Sequence, residues 1–592
     1  MKQFFKTVFA STLGVLIALG IVVVSFIFIG LGMLASVGSS TEYTPEPNTV
    51  LKIALKGTLV DQAVENPFAK ILGESNEQQG ISDMIKAIRR AKENENIKGI
   101  YMEAGAMNSG FAGLEAIRRE LLSFKESGKF IVSYGDSYTQ GAYYLCSVAD
   151  SVFLNPQGSV ALTGLVSQGL FFTGLADKLG VEHYIFKVGT YKSAVEPFFL
   201  KKFSDANREQ LTSFLGSVWK NVTSSIAESR SVTAEELDRY LDEGLALGQA
   251  SNAIDYKLAD ALRYRFEAEN SVKAMAGQKM DEKMKCAGVS KVSSIKVTEK
   301  VSKDKIAVLY AEGEIREDSS SPNPLNADEQ LITEEMTAKL RKLKDDDDVK
   351  AVVFRVNSPG GSAYISEQIW KEVVELKSKK PIVVSMGNYA ASGGYYISCA
   401  ANKIIAERTT LTGSIGVFGV VRNLAGTFDK VGVTTDVVKT NTFADLGDVS
   451  RPMREDEKAL IQRSVEQTYD LFLTRCAEGR GMTKEAIDKI GQGRVWTGEQ
   501  ALERGLVDQL GGLDDAIQEA ATLAMLPDYT VTVADGPKDF LTKLLEKQLD
   551  EVKVSIAKSV LGKDAFQLYS TIRKAETESG IVARMPYRIQ GM

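Results

Sequence analysis

"SMGNYAASGGYYISCAAN", residues 385–402, crowds Ala390, Ala391, Ser392, Gly393 and Gly394 into one turn after an apolar, strand-like run. A second stretch, "SYGDSYTQGAYYLCSVAD" at residues 133–150, has the same shape. The two align at a constant offset of 252 residues, Ser133 to Ser385, and share Ser, Gly, Gly, Tyr, Tyr and Ala at matched positions. Where the later stretch carries Ser392, the earlier one carries Gln140.

The same offset extends outward in both directions. "IKGIYMEAGAMNSGFAGLEAIRREL" (Ile97–Leu121) lies over "VKAVVFRVNSPGGSAYISEQIWKEV" (Val349–Val373), and upstream "MIKAIRRAKENEN" lies over "MTAKLRKLKDDDD". Gly180 and Val181 match Gly432 and Val433, and Lys187 matches Lys439. Self-similarity at a fixed period decides the fold before any local reading does. Each copy runs strand, amphipathic helix, β-rich run, helix, β-rich run, then the small-residue turn and its helix. Strands alternating with helices imply βαβ units and a mostly parallel sheet. The expected organisation is a first repeat over 48–270, a polar, lysine-rich linker over 271–303 and a second repeat over 304–525. An amphipathic helical tail is expected over 526–592.

The whole chain has 592 residues, 44% hydrophobic and 25% charged, which suits globular domains and exceeds one core. A net charge of −6 argues against a nucleic-acid partner. Cys146, Cys286, Cys399 and Cys476 have neither metal-type spacing nor disulfide density. His183 is the single histidine, so an HExxH zinc site is excluded, and no metal or cofactor is expected. At the N-terminus, residues 8–35 carry no charge, longer than the roughly 20 residues that span a bilayer core. Lys2 and Lys6 precede this run and the next Lys or Arg is Lys52. The expectation is a short cytoplasmic segment 1–7, a single transmembrane anchor 8–35 and a body on the extracytoplasmic side. A cleaved signal with its cut near "ASVGSS" is the alternative.

Comparison of the copies singles out chemistry. Ser392 opens a helix beside the Gly393 N–H, which is the layout of a nucleophile with part of an oxyanion hole. "RVNSPGGSA" (355–363) offers paired glycines, which the first copy replaces with Asn108 and Ser109. A nucleophilic serine needs a base. His183 sits among apolar residues in "GVEHYIFKVG" and reads as structural. Lysine is the other candidate: "KVGTYKSAVEPF" supplies Lys192, and its counterpart in the second copy is Ala444. The first copy kept the lysine and lost the serine; the second did the reverse. A site is restored only if Lys192 and Ser392 meet across an interface between unlike copies.

"RVNSPGGSA", "YAASGGYYIS", "LTGSIGV" and "VGTYKSAVEPF" resemble the signal peptide peptidase A (protease IV) family in its long, duplicated form. The resemblance covers the chain from the N-terminal run to about 525. It implies a fold similar to the Clp protease and crotonase superfamily and a serine peptidase with a Ser–Lys dyad. It further implies Ser392 as nucleophile, Lys192 as general base, the N–H groups of Gly361 and Gly393 as oxyanion hole, and Ser414 orienting the lysine. The implied partners are peptides left by signal-peptide cleavage, the inner membrane and three further copies in a tetramer. A scaffold with a decayed site, or an acyl-CoA enzyme on the same fold, are the rival readings.

Overall fold

The computed structural model describes residues 43–63, 78–296, 302–317, 330–534 and 580–584, with Lys6 and Gly14 as isolated positions. The expected anchor 8–35 lies outside the described residues apart from Gly14. No described helix is long and apolar enough to cross a membrane.

Two sheets, parallel except where 495–497 pairs antiparallel with 411–413 at one edge of the second, repeat one plan. The first orders its strands 286–288, 49–60, 97–108, 130–135, 151–154 and 261–262. The second orders 530–534, 305–312, 349–358 and 382–391, with 403–406 and 509–510 continuing from the last of these. Runs such as "KIAVLYAE" and "VKAVVFRVNS" are apolar on both faces because helices cover both sides of the sheet. In the second sheet Ile306, Val308 and Val353 pack against Ala516 and Ala520 on helix Leu513–Leu523. The alternating residues Ala307, Leu309 and Val352 face Ile365, Ile369 and Val373 on helix Ala363–Lys377. The first sheet is layered in the same way, with Ala268 and Val272 of helix Arg265–Met275 on the face opposite Leu114 and Ile117. Each copy also carries a 26-residue helix, Asp205–Arg230 or Glu455–Arg480.

Both expected repeat boundaries fall short. Residue 271 lies inside helix Arg265–Met275, and Cys286–Gly288 forms a strand beside Val50–Lys52. The stretch read as a linker therefore completes the first sheet. Likewise, Thr530–Ala534 pairs with Lys305–Leu309 and completes the second sheet beyond 525. These edge strands are too short to show a period. The region expected as a helical tail also contains a strand, Gly580–Arg584.

A third sheet joins the copies. Strand Glu182–Val188 from the first copy pairs antiparallel with Val417–Asn423 from the second, Val188 opposite Val417 and Glu182 opposite Asn423. Buried Arg355 of the second copy meets Asp61 of the first at 2.9 Å, and Arg119 reaches Glu407 at 2.8 Å. Asp61 and Glu407 are each almost fully buried, so an unpaired partner at either place would be costly. The two repeats thus dock within one chain in a fixed register.

Candidate active site

The joining sheet delivers Lys192 to the second copy. Four residues after Val188 leaves its ladder, the lysine side chain turns inward and is fully buried. Its Nζ lies 2.8 Å from Ser392 Oγ, 3.2 Å from Ser414 Oγ and 3.3 Å from the Ser414 carbonyl oxygen. Ser392 and Ser414 are fully buried as well. Lys192 and Ser392, kept by different copies, therefore meet in one chain.

The Ser392 turn is held by its surroundings. Ser392 sits at φ 56° and ψ −113° after strand Ile382–Ala391, a backbone state that costs about 1–3 kcal/mol for a side-chain-bearing residue. Its N–H donates to the Gly413 carbonyl at 2.8 Å. Ser414 also has positive φ, 50°, and its N–H donates to the Arg494 carbonyl at 2.7 Å. Gly393 opens the short helix Gly393–Tyr396, where the first N–H groups lack intrahelical acceptors. Gly361 lies on the neighbouring strand Gly360–Ser362; a Cβ there would stand 2.0 Å from the Ile315 carbonyl oxygen, so only glycine fits. The Gly360 N–H is already engaged by Ser358 Oγ at 3.2 Å, which distinguishes the two glycines.

Burial is the one influence on Lys192, and it pushes the ammonium well below the usual lysine value, because a desolvated charge has lost its water without gaining a counter-ion. Val195 and Phe418 form a small apolar cluster there, with the Phe418 ring 6.0 Å from Nζ. His183 lies elsewhere on its strand, opposite Arg422, with its ring 5.1 Å from Phe198. Burial and the Arg422 charge both push its pKa down.

Several supports were not legible beforehand. Gly493, at φ 77°, packs so closely on the lysine backbone that a Cβ would stand 2.6 Å from Lys192 N. Gln210 is fully buried and donates to the Tyr191 carbonyl at 2.8 Å and to Ser193 Oγ at 3.0 Å, bracketing Lys192. Glu196 is buried beneath the same loop and accepts from Asn207 Nδ2 at 2.7 Å. The paired glycines in "GQGR" (491–494) were the available signal for a close approach.

Comparison with known proteins identifies the family. The model of peptidase family S49 matches residues 123–279 and again 374–527, and that of Clp protease matches 325–414. The chain belongs to peptidase family S49. It is 33% identical over 577 residues to "Protease 4" of Salmonella typhi, covering 94% of this chain and 91% of that protein. "Serine protease SPPA, chloroplastic" of Arabidopsis thaliana is 31% identical over 543 residues, covering 91% of this chain and 77% of that protein. "Putative signal peptide peptidase SppA" of Enterococcus faecium is 37% identical over 245 residues, 41% of this chain and 71% of that protein. Its two S49 matches fall one in each repeat, so this serine peptidase is a tandem S49 protein with a Clp-like fold.

Proposed function

We propose that the chain is a membrane-anchored endopeptidase in which Ser392 and Lys192 form the catalytic dyad. The observation that carries the reading is the 2.8 Å approach of Lys192 Nζ to Ser392 Oγ in a fully buried setting. A neutral amine has two N–H bonds and one lone pair. With the two hydrogens directed to the Ser414 hydroxyl and carbonyl oxygens, the lone pair faces the Ser392 hydroxyl. Lys192 then takes the Ser392 proton as Oγ attacks the peptide carbonyl, and gives it to the departing amine. The oxyanion is held by the N–H groups of Gly361 and Gly393. Water, deprotonated by the same lysine, hydrolyses the acyl-enzyme and frees Ser392.

The uncharged run 8–35 supports an inner-membrane anchor with the body outside the cytoplasm, and so a supply of apolar signal-peptide remnants as substrate. The repeat itself supports a closed ring of chains. Segment 432–440 of the second copy, the counterpart of the strand that joins the copies, is exposed along its whole length and presents Val433, Val437 and Val438. Pairing with the first copy of the next chain would continue the same head-to-tail contact, and such contacts close into rings such as a tetramer.

The deciding experiment is labelling with a fluorophosphonate followed by peptide mapping. The label is expected on Ser392 in wild type and absent from Lys192→Ala. In Ser414→Ala it is expected at a rate lower by about 10–100-fold, the loss typical of a small misplacement. Label on another serine, or wild-type labelling of Lys192→Ala, refutes the dyad.

A further inference from the structure

Lys192 stands on a short loop between strand Glu182–Val188 and helix Glu196–Phe199. A buried side chain is aimed by its backbone, so what grips that loop decides where Nζ points. Gln210 grips it on both sides of the lysine: Nε2 donates to the Tyr191 carbonyl at 2.8 Å and to Ser193 Oγ at 3.0 Å. The other end of the same amide reaches the second copy, where Oε1 accepts from the Val495 N–H at 3.2 Å. Val495 pairs with Gly413, the residue before Ser414, and the Arg494 carbonyl accepts the Ser414 N–H at 2.7 Å. One amide therefore links the loop that carries the amine to the strand pair that places the Ser414 hydroxyl. Rotated by half a turn, it would set oxygen against the Tyr191 carbonyl and N–H against the Val495 N–H, so its neighbours fix its orientation.

Burying an amide is costly unless its donors and acceptor are met, so a fully buried glutamine calls for a reason. Helix formation is not that reason. The matching 26-residue helix of the second copy, Glu455–Arg480, has Leu460 at the same sixth position, partly exposed. That copy also has Ala444 in place of Lys192. Beneath Gln210 the helix is a rigid base: Leu211, Phe214 and Val218 are buried in the first core, and Asn207, one turn earlier, donates to buried Glu196 at 2.7 Å.

We propose, resting on the Ser392–Lys192 reading, that Gln210 is a positioning residue for peptide hydrolysis: its side-chain amide sets the distance and angle between Lys192 Nζ and the hydroxyls of Ser392 and Ser414. Without this link the loop is free to shift against strand Val495–Thr497. The amine is then still present, but its lone pair leaves the line of the Ser392 O–H bond. A misplaced base raises the barrier to proton transfer and leaves substrate binding alone, so the loss falls on kcat.

The test measures kcat and KM for a model peptide in the full chain, with the melting temperature as the check on folding. Gln210→Met keeps the length of the side chain and removes its hydrogen bonds. It is expected to lower kcat by about 10–100-fold and to leave KM within about twofold of wild type. Asn221→Ala is the comparison: the same helix loses a different bond to the second copy, Asn221 Nδ2 to Glu499 Oε2 at 2.9 Å, and kcat should stay near wild type. Because Gln210 and Ser414 act on one amine, the double variant Gln210→Met/Ser414→Ala should be less impaired than the product of the two single losses. Wild-type kcat in folded Gln210→Met, an equal loss in Asn221→Ala, a rise in KM that accounts for the whole effect, or losses that multiply overturns the proposal. If Gln210→Met does not fold, Gln210→Glu, which keeps the shape and sets an oxygen against the Tyr191 carbonyl, takes its place. Failure of both to fold overturns the proposal by making the glutamine a requirement of the fold. Fluorophosphonate labelling of Ser392 that is lost in Lys192→Ala keeps the dyad where Gln210 fails these tests; wild-type labelling of Lys192→Ala refutes the dyad and the proposal with it.

Discussion

At the turn after the 130–135 strand the first copy places Gln140; after the 382–391 strand the second places Ser392. The positions match in sequence but not in backbone, since Ser392 has φ 56° before its short helix whereas Gln140 is already the first residue of helix Gln140–Cys146, and the side chains do opposite things. Gln140 is buried, and its Oε1 accepts from the Thr163 and Gly164 N–H groups, each at 2.7 Å. It closes its own half with hydrogen bonds. Ser392 is instead poised against an amine that arrives from the other half. Ala444, the counterpart of Lys192, is exposed. Duplication thus left the lysine in one copy and the serine in the other, and the two meet only at the interface, where the proposed mechanism uses them as base and nucleophile.

The strongest attack on this comparison is to remove one carrier. Lys192→Ala and Ser392→Ala should each reduce kcat/KM by at least about 10²–10⁴-fold, the usual worth of a positioned base, and the double variant should be little worse. Adding Gln140→Ser to Ser392→Ala should restore nothing, because the amine the mechanism uses sits at the other turn, 2.8 Å from Ser392 Oγ in the unchanged protein. Recovery of turnover would show the two halves to be interchangeable.

Replacing the lysine also has a stability signature. An unfolded lysine holds its proton to about pH 10.4, whereas buried Lys192 releases it well below that. Across that window the unfolded chain binds more protons, so stability rises with pH, and the cost of burial is full only below the folded pKa. Lys192→Met should therefore melt higher than wild type at neutral pH, and the gap should narrow as pH rises toward 10.4. A gap independent of pH would mean that the folded and unfolded chains hold the lysine proton equally, so that burial does not lower its pKa.

A milder attack moves the base without removing it. Gly493→Ala places a methyl where the lysine backbone already sits and demands a positive φ. A displacement of this kind is expected to cost about 100-fold in kcat, with KM little changed. Wild-type kcat in a folded Gly493→Ala enzyme would show that the lysine tolerates the shift.

The smallest effect should come from the inert half. Gln140→Ala removes the acceptor of the partly exposed Thr163 and Gly164 N–H groups, a loss of about 0.5–1.5 kcal/mol in stability by chemical denaturation. Peptide cleavage should persist, because the Gln140 turn takes no part in it. Loss of activity in a folded variant would reveal coupling between the two turns.

Much of this could be read from the sequence because duplication leaves a record. The 252-residue offset revealed the two βαβ copies, and the reciprocal absence of Ser at 140 and Lys at 444 pointed to a contact between them. Other features left no such trace. The positive φ of Ser392 and Ser414 belongs to residues that ordinarily avoid it, and so is set by tertiary context. Gln210 is one polar residue on a 26-residue helix, and nothing local distinguishes it from a solvent-facing glutamine. The edge strands 286–288 and 530–534 are chosen by a neighbouring open edge, not by their own pattern. Strand 580–584 is placed by a cleft more than 150 residues away in the chain, between Gly360–Ser362 and Val417–Asn423.

The pairing of Glu182–Val188 with Val417–Asn423 also sets a clock. A chain synthesised at about 5–20 residues per second makes Lys192 roughly 10–40 s before Ser392 exists. Until strand 417–423 emerges and the halves dock, the amine has no hydroxyl to activate. Contacts this distant in sequence also form late in folding. In the proposed mechanism the nascent protein therefore has no proteolytic site before this strand pair closes.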